Sequence, residues 1–207
     1  MLRKKARKNL DILTPFVERR AKVLAINPTC SMMLRREWPE LVDPEDRQRA
    51  KNVAEATMDP SEFLWSIRKE PRFNTAFKSS PEGKVAYHAP CHLRTQGKGF
   101  KGRDLLGKLS GVSTATVMEC CGHDGTHAMT VEGFDYSKRV GKTAFADMQH
   151  AEATVWSTDC PNPQSRHAAR RKAERVADWV ADPRRMRHST HHEARPGNHN
   201  ATRICLP

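Results

Sequence analysis

Lys84-Val85-Ala86-Tyr87-His88-Ala89-Pro90-Cys91 is the stretch that decides the fold. A short apolar run with an aromatic, bounded by Gly83 before it and Pro90 after it, reads as a buried strand that delivers a cysteine. The same plan returns twice downstream. Thr114-Ala115-Thr116-Val117-Met118 is β-branched and leads to Cys120-Cys121-Gly122, and Ala153-Thr154-Val155-Trp156 leads through Ser157-Thr158-Asp159 to Cys160. A polar, glycine-rich stretch over 92–111 with a short helix near 104–109, and a helix over 140–150, fill the gaps. Strands alternating with helices predict an α/β fold: a mainly parallel sheet with flanking helices.

In open α/β sheets, ligands bind beyond the carboxyl ends of the strands. Cys91, the Cys120–Cys121 pair and Cys160 are therefore expected to converge at one sheet edge. Four thiolates gathered there suit an iron–sulfur cluster, with a closed zinc site as the alternative. A single strand-end cysteine would read as a small buried hydrophobe; four in this pattern do not. A vicinal pair fits poorly with the C-x₂₋₄-C spacing of structural zinc, which favours iron. Gly122, lacking a Cβ, suits a tight turn around a bulky group. His88, His92, His123 and His127 flank the cysteines as candidates for outer tuning or substitute ligation, although polar loop histidines are the plainer reading of each. Ser157 has no His/Asp partner pattern, and Trp38, Trp65 and Trp156 read as core.

Upstream, Leu10, Leu13 and Val17 fall at helical spacing within 5–19. Residues 21–26 follow as a short buried strand, running through Asn27-Pro28-Thr29-Cys30 into a helix that Ser31 could cap. Helices are expected over 45–57 and over 61–69, the second with Ser61 as N-cap and closed by Pro71. The strand–turn–cysteine plan that ends at Cys30 echoes the one that ends at Cys160, which suggests a duplicated architecture.

The chain has 207 residues and a formal charge of +12, and the location of that charge matters. Residues 1–22 carry 8 basic and 2 acidic side chains, and residues 166–207 carry 10 and 4. The stretch between them holds 18 of each, so no basic groove surrounds the cysteines. Aromatics make up 6% and do not interleave with the basic runs, so no specific nucleic-acid partner is expected; a basic interaction protein without redox activity is the competing class. No apolar run approaches the ~20 residues that span a bilayer, and no signal peptide is legible. The expectation is a cytoplasmic protein with reduced thiols. Beyond residue 166 the text turns basic and His-rich, with Cys205 as a bystander thiol.

Tyr87-His88-Ala89-Pro90-Cys91, Glu119-Cys120-Cys121-Gly122-His123-Asp124-Gly125 and Thr158-Asp159-Cys160-Pro161 together resemble the cysteine-rich CCG domain. That domain occurs in the B subunit of heterodisulfide reductase and in the iron–sulfur C subunit of anaerobic glycerol-3-phosphate dehydrogenase. Asn27-Pro28-Thr29-Cys30 with residues 33–41 resembles the end of a preceding repeat, which implies an N-terminally truncated member. The implied organisation is a first-repeat remnant over 1–45, a helical connector over 46–82, the CCG domain over 83–165 and a basic tail over 166–207.

The resemblance also implies a function: an electron-transfer subunit of an oxidoreductase, not itself catalytic. Its partner would be a flavin-containing dehydrogenase or reductase subunit, which could hold it at the inner face of a membrane. Each family repeat ends in C-x-x-C, but here the first of those positions is Asn27 in one copy and Ser157 in the other. A [4Fe-4S] cluster on Cys91, Cys120, Cys121 and Cys160 is then the expected cofactor, with Gly122 beside it. Cys30, with no cysteine before it, is expected not to ligate a cluster.

Overall fold

In this computed structural model, residues 2–77, 80–81, 83–123 and 125–161 are described. The basic tail expected over 166–207 lies outside them. The N-terminal unit begins with α1 (Leu2–Glu18), whose Ala6 and Leu10 are buried. β1 (Val23–Leu24) and α2 (Pro28–Met32) follow, then a π turn (Met33–Glu37), α3 (Trp38–Leu41), a 3₁₀ turn (Pro44–Asp46) and α4 (Arg47–Ala56). β2 (Thr57–Met58) and α5 (Pro60–Ser66) close this unit. Ala6 and Leu10 pack with Trp38, Val42, Ala50 and Val53 in one apolar cluster, the product of helical spacing on α1 and α4.

The second unit runs β3 (Gly83–His88), α6 (Cys91–Thr95), α7 (Lys101–Leu106), β4 (Val112–Val117), a 3₁₀ turn (His127–Met129), α8 (Val131–Val140), α9 (Lys142–His150) and β5 (Val155–Thr158). Its three strands form a parallel sheet in the order β4-β3-β5, as the alternation of strands and helices requires. Central β3 is covered on both faces. Val85 and Tyr87 join Ala89 and Leu106 on one side, and Ala86 joins Val117, Met148 and Ala151 on the other.

The register is what positions the site. His88 pairs with Val117 on one side and with Thr158 on the other, so all three strands end level. Their exits lead to Cys91, to Cys120 and to Cys160 within two or three residues.

Several local expectations change. The strand is not fully buried: among the described residues β1 pairs only with β2, and Leu24 and Ile26 are exposed while Ala25 is buried. The helix after β1 starts at Pro28, with Asn27 as its cap accepting from the Thr29 N–H at 2.9 Å. Ser31 lies inside that helix and is fully buried. Asp59, not Ser61, precedes α5, and the Glu62 carboxylate accepts from the Asp59 N–H at 3.3 Å. That helix ends at Ser66, short of Pro71. The helix expected over 140–150 is α9; α8 before it was not anticipated, since its apolar residues Val131, Phe134 and Val140 are exposed and mark no core-facing stripe.

Candidate metal centre

Five cysteines line one cavity of about 510 Å³: Cys91, Cys120, Cys121 and Cys160 from the level strand exits, and Cys30 from α2. The first four are the residues the sequence singled out. Cys30, expected not to ligate a cluster, lines the same cavity, because α2 packs on α6 and brings the N-terminal unit to the mouth of the sheet edge. His88, His92, His123 and His127 line the same cavity. Cys121 and Cys160 are buried, Cys91 is half-buried, and Cys120 and Cys30 are exposed.

The vicinal pair is held by its neighbours. The Gly122 N–H donates to Cys120 Sγ at 3.4 Å. Gly122 has φ +73°, and a Cβ there would meet the Ser137 carbonyl oxygen at 2.0 Å. The glycine is therefore required by the close approach of α8 as well as by the turn itself. The Ser137 hydroxyl donates back to the Gly122 carbonyl, clamping loop to helix. One residue before the pair, the Glu119 carbonyl accepts from His88 Nε2 at 3.0 Å. Since a carbonyl can only accept, Nε2 carries the hydrogen. Burial lowers the His88 pKa below its usual value, opposed by this hydrogen bond, so a neutral imidazole is favoured.

Cys160 is positioned through Asp159. That carboxyl group accepts from the Tyr87 hydroxyl at 2.5 Å and from the Ser61 hydroxyl at 2.7 Å. Burial first, then the Asp159 charge, raises the Tyr87 pKa and keeps the phenol protonated as the donor. Gly102 on α7 makes room for this: a Cβ there would lie 2.2 Å from Asp159 Oδ1. The sequence carried no sign of these links, because Ser61, Tyr87 and Asp159 are far apart along the chain.

A second buried polar cluster joins the two units. Arg35 donates to the Thr57 carbonyl at 2.7 and 3.1 Å, to Asp59 at 3.3 Å, to Gln96 at 2.8 Å, and to Glu62. Ser31 donates to Asp59 at 2.9 Å, while Gln96 on the other unit donates to Ser31 at 2.9 Å. Burial raises the Asp59 pKa, opposed by Ser31 and Arg35.

The donor set fits an iron–sulfur cluster. All five cysteines are soft sulfur donors around one cavity, and a backbone N–H already reaches one sulfur. Among the described residues, no three His, Cys, Asp or Glu side chains are grouped closely enough to hold a single ion. Also among the described residues, no helix is long and apolar enough to cross a membrane.

The chain is 30% identical over 139 residues to the C subunit of anaerobic glycerol-3-phosphate dehydrogenase from Escherichia coli strain K12, and equally to that from Escherichia coli O157:H7. The match covers 67% of this chain and 34% of each relative, so the chain spans about a third of the length of the curated relatives it matches. No solved structure gives a significant match. The family described as the CCG cysteine-rich domain matches residues 85–163, the segment that holds β3, β4, β5 and the four strand-exit cysteines. Residues 85–163 are a cysteine-rich domain of the CCG family.

Proposed function

We propose that this chain binds an iron–sulfur cluster through Cys91, Cys120, Cys121 and Cys160, and relays electrons as a subunit of an oxidoreductase. The observation that carries the reading is the level ending of three parallel strands, which brings those four thiols to one cavity. Such a cluster, when bound, supplies single-electron transfer. Cys91, Cys120, Cys121 and Cys160 supply four thiolates, the number a [4Fe-4S] cluster takes.

The chain's own residues hold and shield the site. Gly122 donates to Cys120 Sγ, His88 fixes the carbonyl ahead of the vicinal pair, and Asp159 orients the turn that presents Cys160. Cys121 and Cys160 are buried, whereas Cys120 reaches the surface, so the site has a protected side and a side near solvent. That asymmetry suits electron exchange with a docked partner. The similarity to one of the subunits of anaerobic glycerol-3-phosphate dehydrogenase supports a flavin-containing dehydrogenase subunit as that partner. Any place at a membrane face would come through it.

Anaerobic purification of the full chain tests this directly. Iron and acid-labile sulfide with brown charge-transfer absorbance are expected, and Cys120→Ser or Cys121→Ser should abolish or strongly reduce them. Stoichiometric zinc without labile sulfide would overturn the cluster in favour of a structural metal.

A further inference from the structure

We propose that the cations gathered around Trp65, where α5 packs on α7, form a docking surface for an acidic segment of a protein partner. The surface itself needs no bound group; only the identification of that partner as an electron-exchanging subunit rests on the cluster reading above.

Composition averages this surface away. The middle of the chain is neutral overall, yet residues 65–72 and 98–108 together hold seven basic side chains and two acidic ones. Packing of α5 on α7 brings the two segments together. Three cations meet over one indole: Arg68 Cζ lies 4.4 Å from the Trp65 ring centroid, Lys108 Nζ 5.3 Å and Lys101 Nζ 5.5 Å. Beside them, Arg103 lies over Phe100 at 5.4 Å and Arg72 over Phe63 at 5.8 Å. Each ring attracts its cation, but like charges this close repel one another. Asp104 pairs with Lys101 and Arg103, and Glu70 with Arg72. Among the described residues no carboxylate pairs with Arg68 or with exposed Lys108, so the cluster keeps an excess of positive charge.

The chemistry of the cluster selects its occupant. The rings hold the cations in place, so little side-chain freedom is left to lose when carboxylates arrive. Rings already covered by cations are poor platforms for stacking bases, which sets this surface apart from a single-stranded nucleic-acid site. Its place in the fold suits a redox partner. Gly102, between Lys101 and Arg103, packs so closely on Asp159 that a Cβ would lie 2.2 Å from Oδ1, and Asp159 precedes Cys160. The surface therefore begins beside the turn that presents one of the four strand-exit cysteines. Transient redox complexes bury little area and are steered by charge, so an acidic segment drawn to these cations is the kind of contact such a partner makes.

Fluorescence anisotropy of a fluorescein-labelled oligoglutamate titrated with the full chain tests the proposal, with iron and labile sulfide measured on the same samples. Lys101→Gln combined with Lys108→Gln should weaken binding about tenfold. Lys4→Gln combined with Lys5→Gln removes the same charge from an exposed part of α1 and should weaken it by less than about twofold. Trp65→Leu keeps every cation and removes the ring that orders them; it should weaken binding about threefold. Affinity of the unaltered chain should fall as salt is raised. Equal weakening by the two lysine pairs, or none by the Lys101 and Lys108 pair, would overturn the docking surface and leave only net charge. Tighter binding of a duplex DNA probe of matched charge, with the same dependence on Lys101 and Lys108, would overturn it in favour of a phosphate-binding surface. A chain without iron and sulfide that still binds oligoglutamate through Lys101 and Lys108 would overturn the cluster reading and leave this surface standing.

Discussion

The Tyr87 hydroxyl donates to Asp159 Oδ2 at 2.5 Å, tying the central strand to the residue before Cys160. Tyr87 is fully buried, and the Ser61 hydroxyl takes the second carboxyl oxygen. Tyr87→Phe removes one donor from this acceptor, which costs about 1–3 kcal/mol. Urea denaturation of the metal-free protein should show that loss. A double-mutant cycle with Asp159→Asn should show coupling, since the two changes act on one bond. Strict additivity would mean that this hydrogen bond does not stabilise the turn.

Gly122→Ala should destabilise far more than an exposed glycine substitution. The left-handed conformation alone costs a side chain roughly 1–2 kcal/mol. The Ser137 carbonyl, 2.0 Å from the added carbon, would have to move with α8. Thermal melting should show a clear drop in Tm, together with lower cluster content. An unchanged Tm would show that the loop and α8 are not in the contact described.

Arg35 holds two acidic side chains out of water: its own side chain is 10% exposed, Asp59 4% and Glu62 17%. Arg35→Met leaves both carboxylates without their cation and the Thr57 carbonyl without its donor. Breaking a buried pair from one side costs about 3–5 kcal/mol. Guanidinium denaturation measures it, and a loss below ~1 kcal/mol would show the cluster to be solvated. The variant should also loosen the seat of α2 on α6, because Gln96 and Asp59 both contact Arg35.

His88 makes the metal-free protein acid-sensitive. Burial lowers its folded-state pKa, while the unfolded side chain titrates near ~6.5. Just below that pH the unfolded state binds more protons, so stability rises with pH there. The contribution is fully present above the unfolded pKa and is lost as pH falls below it toward the depressed folded value. Comparing wild type with His88→Gln between pH 7 and pH 5 isolates this group from the others (on the order of one proton). The variant should show a shallower slope; equal slopes would mean that His88 is solvated in the folded protein.

Whatever depends on neighbours along the chain was legible before any tertiary contact was known. Alternation of apolar runs with helical spacing announced the parallel sheet, and each of β3, β4 and β5 could be read together with the cysteine after it, since strand, turn and thiol lie within a few residues. The rest was decided by contacts between distant positions. Asn27-Pro28 did carry a local helix-start signal, yet nothing nearby said that Thr29 would meet His92, 63 positions away. The sequence asked for a glycine at 122 because of the turn; only the fold added the backbone of Ser137 beside it. β1 read as buried because Val23 and Leu24 are apolar, but burial depends on what covers a face, and Leu24 is exposed. Cys30 illustrates the division most clearly. Its chain neighbours contain no second thiol, so local reading sets it apart, whereas packing of α2 on α6 places it in a cavity with four others. Hydrogen bonds within a turn are chosen over a few residues, but a cavity is enclosed by whichever elements the apolar cores and buried polar links draw together.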